Sequence, residues 1–187
     1  MNRANLKNYV KDKIVLDVCS YVGGWGIHAA VYGASAVECI ETSAFSANYI
    51  QKNAALNSVG HKINIIKADA FDALKQLQSK NKRYDVIILD PPAFVKKIKD
   101  RKEGLLAYQR LNEAAVKLLN LNGILITCSC SMQVQMSDFI QLLQRVAFRT
   151  NTSLQLLERG HQGPDHPIHL NIPETDYLKT LVLRKLS

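Results

Sequence analysis

The chain has 187 residues, 47% of them apolar, which suits one domain with a sizeable core. No run approaches the ~18 apolar residues of a membrane-spanning helix, the first residues lack the apolar core of a secretory signal, and Cys19, Cys39, Cys128 and Cys130 show neither Cys-x-x-Cys nor Cys/His metal spacing, so a reduced cytoplasmic compartment and no metal are expected. The formal net charge of +8 favours a polyanionic partner, nucleic acid above all.

In chain order, residues 2–11 form a polar helical stretch that feeds the first strand, 14–16. That strand is a short branched apolar run of the kind found in central parallel strands. It leads into Asp17, then into the turn Ser20-Tyr21-Val22-Gly23-Gly24 and a helix over 25–32. The glycines allow a sharp bend and close approach to a ligand. The helix N-terminus offers free N–H groups at the same spot. No Gly-Lys-Ser/Thr follows, and the glycines at 23, 24 and 26 do not form Gly-x-Gly-x-x-Gly. An acidic strand end with a short glycine turn suits a ligand carrying a ribose, a cation and only a carboxylate as its anion. S-adenosylmethionine fits that description. A plain strand-to-helix turn fits the same residues.

A second strand, 36–40, ends in Glu41, and a helix over 43–57 follows with Ser43 as its cap. A third strand, 62–67, leads to Asp69 and a short amphipathic helix over 71–79. The fourth strand, 84–89, runs into Asp90-Pro91-Pro92. A basic run from Lys96 to Lys102 precedes a long helix over 104–120, closed by Leu121-Asn122-Gly123. The fifth strand, 123–128, enters Ser129-Cys130-Ser131, followed by a helix over 132–150, a strand over 154–158, a loop with three histidines, and a last strand over 177–184. This alternation predicts an α/β fold, doubly wound, with a mostly parallel sheet and a late antiparallel edge hairpin.

Asp17, Glu41, Asp69 and Asp90 are expected to close the first four strands on one rim. Glu41 follows Asp17 at about the spacing at which a dinucleotide fold sets an acid on ribose hydroxyls. Asp69 then suits an exocyclic adenine amine, and Asp90 the sulfonium and the substrate. Solvated loop carboxylates are the plainer alternative. The prolines after Asp90 remove two N–H donors and leave carbonyls free for a base edge, on which Phe94 can stack.

Taken together, residues 17–25, Asp90-Pro91-Pro92-Ala93-Phe94, Thr127-Cys128-Ser129-Cys130-Ser131, Asp165-His166-Pro167, Pro173-Glu174 and Tyr177-Leu178-Lys179 resemble the bacterial large-subunit ribosomal RNA cytosine-5 methyltransferases. The resemblance implies a class I, Rossmann-like methyltransferase fold with a seven-stranded sheet. It implies S-adenosylmethionine as cofactor and large-subunit ribosomal RNA as partner, with no membrane involved and a homodimer left open. It sets the cofactor contacts at Asp17, Ser20, Tyr21, Gly23, Gly24, Glu41, Thr42, Asp69, Ala70 and Asp90, with Cys130 as nucleophile beside Asp90. Trp25 stands where the family usually has Phe, and Ala93 where many members have Lys. Members also carry a PUA domain and a β-hairpin ahead of the catalytic part. Asn2-Arg3 is similar to the tail of the family's Gln-Arg-x-Asn-Arg segment, so residues 1–187 are expected to be the catalytic domain alone.

Cytosine chemistry of this kind needs one reactive thiolate, and a nearby cation or helix N-terminus is expected to lower its pKa. Cys128 is expected in the strand and Cys130 on the rim. Both fit as small buried hydrophobes as well. An amino- or guanine-directed methyltransferase also uses Asp-Pro-Pro, without a cysteine, and a non-catalytic domain that holds cofactor or RNA is a third reading.

Overall fold

The computed structural model describes residues 2–187. Among the described residues, seven strands form one sheet in the order β3-β2-β1-β4-β5-β7-β6. They are β1 (Ile14–Val18), β2 (Ala36–Ile40), β3 (Ile63–Ile66), β4 (Tyr84–Leu89), β5 (Leu119–Ser129), β6 (Leu154–Gly160) and β7 (Lys179–Lys185). The helices are α1 (Asn2–Asn5), α2 (Gly24–Val31), α3 (Ala44–Leu56), α4 (Ala70–Ser79), α5 (Arg101–Leu118) and α6 (Met136–Thr150). Strands β1 to β5 pair in parallel, whereas β7 runs antiparallel to both β5 and β6. The expected late hairpin is present, with its second strand inserted inside the sheet and its first strand at the edge.

Residues alternate between the two faces along each strand. Leu16, Val18, Ile87 and Leu89 join one core with Leu74, Tyr108, Leu111 and Phe139, under α4, α5 and α6. Val15, Val86 and Ile88 join the other with Leu6, Trp25, Ile27 and Ile50, under α2, α3 and the short turn that carries Leu6. Both faces are covered, which is why the central strands read as unbroken apolar runs. The chain leaves β1 toward β2 and β3, then crosses back to β4 on the other side. The β1/β4 boundary is therefore the topological switch point, beyond whose C-terminal ends ligands bind in such sheets.

Several boundaries differ from the sequence reading. The helix expected over 2–11 is α1 followed by a single 3-10 turn, Leu6–Asn8; the chain then turns through Asp12 at φ 59° to enter β1. Leu121-Asn122-Gly123 does not close α5. It lies within β5, where the register steps from Tyr84↔Leu119 to Val86↔Ile124, so the extra residues form a bulge held by the Asn120 amide on Asp85 Oδ1 at 2.9 Å. Helix α5 starts three residues early, at Arg101, and takes in the end of the basic run. Helix α6 starts late, because Gln135 and Asp138 cap it reciprocally.

Candidate functional site

A cavity of about 640 Å³ opens at the switch point. The turn after β1 forms one wall. Cys19 and Tyr21 hold φ values of 62° and 50°, and Gly23 holds 88°. Left-handed conformations at non-glycine residues cost about 1–3 kcal/mol each and persist where surrounding structure enforces them. Here the Ser20 hydroxyl donates to Asp17 O at 2.8 Å, and the Gly23 N–H donates to Ser20 O at 2.8 Å. Gly26 lies flat against β1 and β2: a Cβ there would sit 2.7 Å from Cys39 Sγ and 3.1 Å from Asp17 Oδ2.

Glu41 follows β2 directly and ties the two loops together. Its Oε2 accepts from the Tyr21 N–H and its Oε1 from the Ser43 N–H, both at 2.8 Å. Each oxygen keeps a lone pair for the cavity. Asp69 caps α4 through Oδ1, which accepts from the Phe71 and Asp72 N–H groups at 2.8 and 3.3 Å, and leaves Oδ2 open. Asp90 follows β4, and its Oδ2 accepts from the Trp25 indole N–H at 2.8 Å. Ser20, Tyr21, Gly24, Glu41, Thr42, Asp69, Ala70 and Asp90 all line the cavity, joined by Arg3, Trp25, Phe71, Pro91, Pro92 and Phe94.

Asp17 departs from its expected place. It lies inside β1, one residue before the end, and is 0% exposed. The pleat puts it on the same face as Val15, toward α2, where Oδ2 accepts from the Gly26 N–H at 2.9 Å and Oδ1 has no partner among the described residues. Burial pushes its carboxyl up to about 7, against the pull of the Gly26 N–H. It braces the turn from behind and does not line the cavity. Gly23 also stays off the wall, as the residue capping α2.

Cys130 stands one residue past β5, half-buried, with Sγ 4.0 Å from Pro91 O. It therefore shares the rim with Asp90-Pro91-Pro92, although it is not part of the cavity wall. Cys128 is buried in β5 with Sγ 3.4 Å from Thr180 Oγ1. The thiol of Cys130 is not lowered in the free protein as the sequence reading expected. Burial pushes it up, and the Asp90 carboxylate adds to this, while Lys179 pulls the other way. Below it, Ser131 Oγ accepts from the Val95 N–H at 3.1 Å and meets the Tyr108 hydroxyl at 3.0 Å. This network fixes the loop after Asp90 to the loop after β5.

Phe94 packs against Tyr108 with ring centroids 4.7 Å apart and the planes tilted by 59°. Asp165 and His166 pair at 3.1 Å on an exposed loop, away from the cavity wall. Among the described residues, no cluster of three or more His, Cys, Asp or Glu side chains could hold a metal, and no helix is long and apolar enough to cross a membrane. Arg3, Trp25 and Lys179 were missed as site residues. Trp25 carried one readable signal, an aromatic bearing an N–H inside the glycine turn.

The strand order, the inverted β7 and a cavity over the β1/β4 switch define the class I methyltransferase fold, an α/β Rossmann-like architecture with seven strands. The chain is 98% covered by a solved structure of SMU.776, "a putative methyltransferase complexed with SAH", at TM-score 0.86 and 21% identity over 48% of that chain. Within this class the chain belongs to the family described as conserved hypothetical protein 95, whose profile matches residues 4–156. Ribosomal RNA large subunit methyltransferase I of Shewanella frigidimarina is 37% identical over 98% of this chain and 46% of its own length. A putative ribosomal RNA large subunit methyltransferase of Methanocaldococcus jannaschii, MJ1649, is 35% identical over 96% of this chain and 46% of its own length. The chain thus spans about half the length of the curated relatives it matches.

Proposed function

We propose that this chain is the catalytic part of an S-adenosylmethionine-dependent methyltransferase that forms 5-methylcytosine in ribosomal RNA through a Cys130 adduct. The relatives' names and the fold support methyl transfer to ribosomal RNA, for which a cytoplasmic setting is proposed. The cytosine reading is carried by one observation: a half-buried thiol stands 4.0 Å from the carbonyl of Pro91, on the rim that also presents Asp90.

The cavity fits the cofactor. Its volume lies within the range of ligand pockets, about 300–1,000 Å³. The free lone pairs of Glu41 suit the ribose hydroxyls, and Asp69 Oδ2 suits the adenine amine. The open N–H groups at the start of α2, with Arg3 above them, suit the carboxylate. When bound, S-adenosylmethionine supplies an electrophilic methyl group.

The protein's own residues do the rest. Cys130 adds as thiolate to ring carbon six of cytosine, forming the C–S bond and giving carbon five nucleophilic character. Asp90, held by Trp25, accepts from the exocyclic amine, as acidic side chains do for cytosine. After carbon five has gained its methyl group and lost its proton to water, the C–S bond breaks and Cys130 leaves as thiolate.

The test is incubation with ribosomal RNA containing 5-azacytidine, which traps the adduct. A covalent complex is expected, and Cys130→Ala is expected to lose it while keeping cofactor affinity. Methylation at an undiminished rate by Cys130→Ala would replace this reading with the amino- or guanine-directed one.

A further inference from the structure

Lys179 opens β7, and its backbone pairs with Ser129 at the end of β5. Although it is a lysine at the start of a strand, its residue surface is only 6% exposed. Its side chain runs under the Cys130–Ser131 turn, where Nζ donates to Ser131 O at 2.8 Å. An ammonium carries three donors; this carbonyl takes one. Among the described residues, no carboxylate comes within 4.0 Å of it. A buried cation is costly unless it is paired, so a lysine held here calls for an anion that the resting site does not present.

The surroundings narrow the choice. Asp138 on α6 is engaged by Arg101 at 2.7 Å and by the Gln135 N–H at 2.9 Å. Asp176, ahead of β7, is exposed. Tyr108 on α5 is bound to Ser131 Oγ, and Cys128 faces Thr180. Asp90 reaches Cys130 from the side of β4 and disfavours its ionisation. Asp176 and Asp138 support the ammonium more weakly than the Cys130 sulfur does, and that sulfur is on the residue next to the carbonyl that Lys179 holds. Charge works in both directions here: Lys179 draws the thiol down, and a Cys130 thiolate supports the ammonium against burial.

We infer that Lys179 is a positioning residue for Cys130: its buried ammonium is the counter-ion of the Cys130 thiolate, and its bond to Ser131 O pins the turn that aims the sulfur at the rim. The inference rests on the reading of Cys130 as the nucleophile. The thiol proton leaves to solvent through the half-exposed side of Cys130. Lys179 keeps all three of its protons, and no bond to carbon forms or breaks at this stage.

The test follows the rate of iodoacetamide alkylation of Cys130 against pH, localised by fragment mass spectrometry, without RNA or cofactor. Lys179→Met is expected to move the alkylation midpoint up by about one unit, a roughly tenfold slowing near neutral pH, and Lys179→Arg to recover part of that. A folded Lys179→Met protein whose profile overlays the wild type overturns the inference. Should Lys179→Met not fold, the reciprocal measurement decides. The Lys179 Nζ resonance is titrated by NMR in the wild type and in Cys130→Ala. A lower midpoint in the variant supports the pair, and an unchanged one overturns it. Failure of the 5-azacytidine adduct with this coupling intact would reject the cytosine reaction and leave the thiolate–ammonium pair standing.

Discussion

Asp17→Asn should remove most of the pH dependence that β1 imposes on stability. The carboxyl is fully buried and its pKa is raised from 3.8 to about 7, chiefly by burial. Because the folded value lies above the unfolded one, folding disfavours the charged form. Below about pH 4 the group is protonated in both states and the penalty is absent. Between about pH 4 and 7 the unfolded chain has lost its proton while the folded protein keeps it, so stability falls as pH rises. Above that window the penalty is constant. A rise of about three units corresponds to about 4 kcal/mol, on the order of a third to most of a domain's total stability. Urea unfolding of wild type and Asp17→Asn at intervals from pH 4.5 to 8 isolates the contribution, since the two proteins differ only at this carboxyl. The difference in unfolding free energy should change by several kcal/mol across the series, with the variant gaining on the wild type as pH rises. Parallel profiles would show that Asp17 ionises normally in the fold, and would refute the view that its unpartnered oxygen is a real desolvation cost.

Glu41→Ala should weaken S-adenosylmethionine binding by about 1–3 kcal/mol in calorimetric titration, with Glu41→Gln in between because one oxygen can still hold a loop N–H; unchanged affinity would remove the ribose assignment. Trp25→Phe deletes the N–H that holds Asp90 Oδ2 and should slow adduct formation on 5-azacytidine RNA by about 1.5–3 kcal/mol of barrier, the size of a hydrogen bond to a charged group; wild-type rates would mean that Asp90 needs no anchor. RNA affinity should fall steeply with salt, at a slope near −0.7 per phosphate contacted on a single strand, and a salt-independent complex would contradict an electrostatic surface built around Lys96 to Lys102.

The element order and the rim were legible because each is local. An apolar run, a turn and a helix announce a strand end, and the acid that follows is next to it in sequence. Glu41 and Asp90 directly follow β2 and β4 as expected, whereas Asp69 sits three residues past β3 as the cap of α4, and all three reach the cavity. Asp17 was placed one step wrong: β1 continues through Val18, and the pleat sends Asp17 inward with Val15. Period-two counting from Val15, together with a glycine at 26 lacking the side chain that would fill the space, holds that signal. The Trp25–Asp90 bond spans 65 residues of sequence and exists only after β1 and β4 become neighbours. Lys179 reads as a surface cation in any window of sequence. Its burial follows from β7 lying between β5 and β6, a fact of topology that no local pattern carries. The bulge in β5 was hidden for the opposite reason, since Leu-Asn-Gly is a good local ending for a helix.

The inverted strand also has a consequence for how the protein comes into being. β7 follows the other six in chain order, yet it fills an interior slot of the sheet. As a ribosome delivers the chain from its N-terminus, β1 to β5 can assemble while β5 still presents a free edge. β6, though already made, has no neighbour to pair with until residues 179–185 emerge. During that interval a long apolar strand shows its hydrogen-bonding edge to the crowded cell, the situation in which strands join with the wrong partner. The basic Lys179, Arg184 and Lys185 at the two ends of β7 are the charges best placed to keep the late strand soluble until it slides home.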